Sequence, residues 1–183
     1  NQNELAHQIL NQITENDLSF EEYKLVYTEQ KLHKDWYSSY QTLLLMNKKE
    51  PQDAFVLYQI GLSQLIFDPE NAGDTLLHAV TNNTEYTSRV RIFRQGLERI
   101  IQQENFTYRL VLTGQLLSQQ GEWDYATAAF EYATKMDPEY AEGWALYGNA
   151  LKYVNEDGLS ALKKAQEIDP DSKIVKEMLA LYW

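Results

Sequence analysis

Apolar residues recur along this chain three and four places apart, with polar residues filling the intervals, and this is the spacing of amphipathic helices. Leu5, Ile9, Leu10 and Ile13 form the first stripe, over residues 3 to 14. Ser19 followed three places later by Glu22 is a capping box, and Leu18 before it can staple onto Tyr23. A helix is therefore predicted from about residue 19, with Tyr23, Val26 and Tyr27 inward. A further stripe, Trp36, Tyr40, Leu43 and Leu44, runs toward Met46 and is closed by Asn47-Lys48-Lys49-Glu50-Pro51. In the next stretch Leu57, Ile60 and Gly61 set a small residue beside large ones. Phe67-Asp68-Pro69 then makes a turn, with Asp68 as cap and Pro69 in the first helical place, and Ala72, Leu76 and Ala79 mark the helix that follows. Val90, Phe93, Leu97, Ile100 and Ile101 predict one more helix over residues 86 to 103.

From Thr107 the pattern repeats itself. Tyr108 to Pro138 and Glu142 to Pro170 carry the same features in the same order. The anchors are Leu110, Gly114, Leu117, Ala126, Phe130, Ala133 and Pro138 in one copy, and Trp144, Gly148, Leu151, Gly158, Leu162, Ala165 and Pro170 in the other. Gly114 and Gly148 each lie three residues before a leucine, a small notch beside a large knob on one helical face, so that a facing helix can approach closely. Gln120-Gly121-Glu122 and Asn155-Glu156-Asp157 break the copies into two helices each, and Asp-Pro closes both. The earlier stretches are degenerate relatives of this unit. Setting Pro51 equivalent to Pro138 places Ser39, Leu43 and Met46 over Ala126, Phe130 and Ala133, with bulky Tyr27 where a small residue is wanted; Gly61 stands 34 residues beyond Tyr27.

On these residues the chain resembles the tetratricopeptide repeat family, with its skeleton of Trp, Leu-Gly, Tyr, Ala, Phe, Ala and Pro over roughly 34 residues. Trp123 fills the aromatic place after the turn of the first copy, and Trp144, Tyr147 and Gly148 are kept in the second. The second copy is two residues short between its helices, and its Gly158 replaces the family's alanine, which is expected to weaken that helix by about 1 kcal/mol. The resemblance implies an all-α fold, a right-handed α-α superhelix of antiparallel helix pairs. It divides the chain into residues 1–52 with a degenerate pair, 53–106 with a pair and an extra helix, and 107–183 with two repeats and a terminal half-repeat. The helix at 86–103 breaks the alternation of pairs and is read as a boundary.

The same resemblance implies a function. In this family the first helix of each pair lines a groove that holds a segment of a protein or peptide partner. Carried over by position, the lining is Tyr108, Val111, Gln115, Ser118 and Gln119, then Glu142, Ala145, Asn149, Lys152 and Tyr153, with Phe55, Tyr58, Leu62 and Leu65 in the earlier pair. The family's clamp for a C-terminal carboxylate would need more cations than Lys152 with Asn149, and Glu142 and Glu177 oppose them. Aromatic contacts and amide hydrogen bonds fit this lining better. The chain is thus expected to be a non-catalytic interaction scaffold; the alternative is a non-catalytic region of a larger, membrane-anchored enzyme such as a glycosyltransferase or ligase.

Composition narrows the chemistry. With 16 basic against 27 acidic residues the net charge is −11, which opposes general binding of nucleic acid or of an anionic membrane. No cysteine is present, so disulfides and thiolate metal sites are excluded. No apolar run nears the roughly 18 residues of a membrane span, so no direct membrane insertion is expected of this segment. His7, His33 and His78 fall on separate predicted helices, no phosphate loop, His-Glu-x-x-His, EF-hand or Gly-x-Ser-x-Gly motif occurs, and neither cofactor nor metal is expected. Two Asn-x-Thr sequons, at Asn82 and Asn105, lie in predicted loops. Four of the five arginines, Arg89, Arg91, Arg94 and Arg99, crowd the 86–103 helix. Pairing of Arg91 and Arg94 with Glu98 is the expected arrangement, and an anion or acidic-peptide patch the sharper one. Lys173 to Trp183 matches only the first helix of another repeat, with Leu179 and Ala180 in the places of Tyr147 and Gly148. That apolar end implies self-association through the C-terminal helix or, the favoured reading, an excerpt of a longer array. The absence of an initiator Met and of a basic-then-apolar leader reads as a processed or cut N-terminus. Cytoplasmic and extracytoplasmic settings fit equally.

Overall fold

A computed structural model describes residues 18–182; the stripe at Leu5 to Ile13, with His7, lies outside them. Among the described residues there are ten α-helices and no strand: α1 (Phe20–Leu32), α2 (Trp36–Lys49), α3 (Ala54–Phe67), α4 (Pro69–Asn82), α5 (Thr87–Ile101), α6 (Phe106–Gln119), α7 (Trp123–Met136), α8 (Ala141–Tyr153), α9 (Leu159–Ile168) and α10 (Lys173–Tyr182). A single 3-10 turn, Thr84–Tyr86, precedes α5. The helices pack in adjacent hairpins, α1 with α2, α3 with α4, α6 with α7 and α8 with α9. By contacts the chain divides into residues 1–91 and 92–183.

In the first unit, α1 starts on the predicted box: the Ser19 hydroxyl accepts from the Glu22 N–H at 3.4 Å, and the Glu22 carboxylate accepts from the Ser19 N–H at 2.8 Å. Leu18, Tyr23, Val26 and Tyr27 are buried in one cluster with Tyr40, Leu43 and Met46 of α2 and Val56 and Ile60 of α3. The bulky Tyr27 is accommodated because its hydroxyl reaches α3 and donates to the buried Gln59 Oε1 at 2.9 Å. Helix α3 is apolar around its whole circumference, and Val56 to Ile66 are all buried, as such a composition requires. Its notch works as predicted, since a Cβ on Gly61 would lie 2.5 Å from the Leu76 side chain of α4. At the α3–α4 turn Pro69 occupies the first helical turn, but Asp68 gives α4 no side-chain cap; its carboxylate accepts the Asn71 side-chain amide instead, at 2.9 and 3.0 Å. The adjoining Pro69 nitrogen carries no proton to offer.

In the second unit the two copies form the predicted hairpins. Leu117, Ala126, Ala133, Leu162 and Ala165 are fully buried, and Leu110, Phe130 and Leu151 nearly so. A Cβ on Gly114 would meet the Phe130 ring at 2.5 Å. The shortfall of the second copy is taken from α9, 10 residues against 14 in α7, and not from the turn, which spans residues 154–158. Gly158 consequently lies outside the helix, at its N-cap, and so does not weaken it. A Cβ there would sit 1.9 Å from the Gly148 carbonyl oxygen. Two backbones touch at this point, which is why alanine is replaced.

One turn recurs in three of the hairpins. Lys34, Gly121 and Asn155 have positive φ, at 58°, 78° and 59°. In each case the following N–H reaches back across the turn, Asp35 to the Gln30 carbonyl at 2.9 Å, Glu122 to Leu117 at 3.1 Å and Glu156 to Leu151 at 2.9 Å. This left-handed closure satisfies carbonyls at the helix end. A helix also begins three residues after each of Pro51, Pro138 and Pro170, at Ala54, Ala141 and Lys173. Pro138 and Pro170 therefore end a helix without starting the next one; Asp137 and Asp169 fold the intervening loops by accepting the Glu139 N–H at 3.2 Å and the Asp171 and Ser172 N–H groups at 3.0 Å.

Candidate functional site

The first-helix faces of α6 and α8 hold the residues assigned to the partner. Helix α6 starts at Asn105, whose side chain caps the Tyr108 N–H at 2.9 Å and sets Tyr108 on the first turn, 36 % exposed. One and two turns on, Val111 is buried and Gln115 half-buried, and Gln119 is exposed at the far end. On α8, Glu142 is exposed, Ala145 buried and Asn149 half-buried, and Lys152 and Tyr153 are exposed. Val111 and Ala145 thus offer no side-chain surface: they fill the packing beneath, because the positions one turn from Gly114 and Gly148 are drawn into the hairpin interior.

The remaining residues differ in how far the fold itself uses them. The amides of Gln115, Gln119 and Asn149 make no hydrogen bond to the described residues. Lys152 is engaged: its ammonium donates to the Leu181 carbonyl at 3.1 Å and lies 6.0 Å from the centre of the Tyr182 ring, so it serves the last turn of α10. Tyr153 is engaged too, stacked on Trp123 at 3.7 Å and 4° between planes. Ser118 bonds back to the Gln115 carbonyl at 2.9 Å. In the first unit the corresponding lining is mostly covered. Phe55 is exposed, but Tyr58, Leu62 and Leu65 are buried, and the Tyr58 ring lies under that of Tyr86 at 4.0 Å and 7°.

At the N-terminal end of α6 the surface deepens into a cavity of about 240 Å³ lined by Asn105, Thr107, Tyr108, Asp137 and Tyr140. Tyr140 donates to the Glu142 carboxylate at 3.1 Å. Burial, reinforced by that carboxylate, pushes its hydroxyl pKa well above the ordinary tyrosine range. Burial likewise raises Tyr147 to about 12. Of this cavity only Tyr108 was assigned from the sequence; Asn105 and Thr107 stood out as a sequon and Asp137 as a helix stop. The readable signal was Tyr140, which follows Asp137-Pro138 and takes the N-cap of α8.

The arginine helix departs from expectation. Arg91, Arg94 and Arg99 are exposed, and among the described residues none lies within 4 Å of a carboxylate; Glu98 accepts the Gln102 amide at 3.1 Å in place of an arginine. His78 is exposed on α4. Among the described residues no group of three His, Cys, Asp or Glu could hold a metal ion, and no helix is long and apolar enough to cross a membrane.

No protein-family model matches the sequence, and no curated protein does. Among solved structures the chain is similar to YrrB, described as a TPR protein with an unusual peptide-binding site, at 18 % identity and a TM-score of 0.40 over 96 % of this chain and 97 % of that one. The fold of the present chain stands on its own helix pairs: among the described residues each unit is all-α and built of helical hairpins, with glycine notches at Gly61 and Gly114.

Proposed function

We propose that this chain is a non-catalytic scaffold that binds a peptide segment of a partner protein along the first-helix faces of α6 and α8. The observation that carries the reading is the set of amides on those faces: among the described residues the side-chain amides of Gln115, Gln119 and Asn149 have no hydrogen-bond partner, and Tyr108 stands exposed at their head. Side-chain amides offer both a donor and an acceptor to an extended backbone. Helices already packed into hairpins offer them without an ordering cost at the moment of binding.

A displayed random-peptide library selected on the whole chain tests this. Peptides so obtained should lose about tenfold or more in affinity to Asn149→Ala and to Gln115→Ala, with helicity and melting unchanged. Binders indifferent to both substitutions overturn the reading and direct attention to the arginine face of α5.

A further inference from the structure

The cavity at the start of α6 has a chemistry distinct from the amide row beside it. Two of its five lining residues are tyrosines, and Asp137 brings a carboxylate to the same space. The Glu142 carboxylate is tied to the Tyr140 hydroxyl at 3.1 Å, and Glu139 lies exposed in the loop between. Among the described residues no Lys or Arg lies within 4 Å of the carboxylates of Asp137, Glu139 or Glu142. Of the cations near in sequence to Asp137, Lys135 is committed to Glu131 at 2.8 Å and to the Tyr132 ring. Opposing these three carboxylates are the guanidinium of Arg109, held on the Gln103 carbonyl at 2.9 and 3.1 Å, and the N-termini of α6 and α8, each worth roughly half a charge and effective only within the first turn. The end of α6 is moreover capped by Asn105. Asp137 is the one full charge among the five lining residues, and the upward displacement of the Tyr140 hydroxyl, caused by burial and then by Glu142, accords with a negative sign at this end of α6.

We propose that this cavity receives a basic side chain, lysine or arginine, of the bound peptide. The proposal rests on the peptide-binding reading above and adds the chemistry of one anchor. Tyrosine faces attract a cation through the ring quadrupole, Asp137 supplies the counter-charge, and Asn105 and Thr107 are polar enough to accept its N–H groups. An acidic peptide is disfavoured at the same place by the three carboxylates. The peptide would thus enter with its basic residue against Tyr108 and Tyr140 and its backbone along Gln115, Gln119 and Asn149.

The test uses isotope-labelled whole chain and two synthetic heptapeptides, Gly-Ser-Gly-Arg-Gly-Ser-Gly and the same peptide with citrulline for arginine, which keeps the shape and removes the charge. Saturable amide shifts are expected at residues 105–108, 137 and 139–142 with the arginine peptide and not with citrulline. Asp137→Asn, which retains the bond to the Glu139 N–H, should weaken the effect about three- to tenfold, and Tyr108→Leu similarly. Glu167→Gln, which removes one exposed charge from α9, should leave it unchanged. Equal loss with Glu167→Gln would mean undirected ionic attraction and overturn the site. Equal binding of the citrulline peptide would overturn the cation, and tighter binding of spermidine than of the arginine peptide would overturn a peptide source. Library peptides that lose affinity to Asn149→Ala but not to Asp137→Asn would sink this anchor alone and leave the amide row standing.

Discussion

At the scale of single residues, the glycines separate what a repeat pattern reveals from what it hides. Gly61 and Gly114 are legible as notches because a large residue sits at the matching place in the next helix, and Leu76 and Phe130 fill them. Gly158 is not legible in this way. Pattern alone puts it inside a helix, where Gly158→Ala would gain about 1 kcal/mol. The added Cβ would lie 1.9 Å from the Gly148 carbonyl oxygen and so reverses the sign, because neither backbone can rotate away as a side chain would. Gly158→Ala is therefore expected to lose about 1–3 kcal/mol, read as a lower urea midpoint at unchanged slope. A raised midpoint would show that α8 and α9 do not approach as described. Of the left-handed turn residues, Gly121 and Asn155 are types that favour the conformation and fall in breaks legible in the sequence, whereas Lys34 adopts it with nothing to announce it. Lys34→Gly should consequently stabilise the α1–α2 hairpin by about 0.5 kcal/mol, measured in the same way; a loss of that size would mean that the Lys34 side chain contributes more than its backbone costs.

At the scale of elements, the apolar stripes place the hairpins, but the packing between hairpins is supplemented by polar groups that no periodicity displays. Two of them are tyrosine hydroxyls. Tyr27 bonds Gln59 in the interior of the first unit, and removing the hydroxyl in Tyr27→Phe leaves the Gln59 oxygen buried without that donor. The expected loss is about 1–3 kcal/mol, and pairing it with Gln59→Leu should restore part of it. Tyr182 closes the second unit: its hydroxyl donates to Asp157 and accepts from the Gly158 N–H at 3.0 Å, fastening the end of α10 over the α8–α9 turn. Both partners titrate. The bond from Tyr182 holds Asp157 below the usual carboxylate range, so its contribution is present above about pH 3.8 and lost as pH falls through the lower folded value. The bond to Asp157 raises Tyr182, so its contribution is present below about pH 10 and lost as pH rises through the higher folded value. The stability difference between the native chain and Tyr182→Phe should then shrink at both extremes and stay level between them. A difference independent of pH would remove the hydroxyl from that role. Such ties also engage two of the residues expected to line the groove, since Lys152 bonds the Leu181 carbonyl and Tyr153 stacks on Trp123.

At the scale of the molecule, the division falls between Arg91 and Ile92, inside the 86–103 helix whose break in the alternation of pairs marks a boundary in the sequence; the continuous stripe from Val90 to Phe93 does not fix its exact place. What the sequence could not display is that each unit buries its own cluster: Leu43 lies among α1, α2 and α3 side chains, and Leu162 among those of α8, α9 and α10, with no residue in common. Repeat arrays are stabilised by the sum of each hairpin and its nearest neighbours, so damage should stay near its origin. Leu43→Ala and Leu162→Ala each empty a fully buried site and should cost about 2–5 kcal/mol locally. Hydrogen exchange followed by peptide mass spectrometry distinguishes the outcomes. Leu43→Ala is expected to lower protection over residues 20–67 and Leu162→Ala over residues 141–182, each with smaller change in the other span, because opening free energies are set by local burial. Loss spread evenly over both spans in either variant would mean that the chain opens as a single cooperative body, and the hairpins would then owe their stability to the whole array and not to their own neighbours.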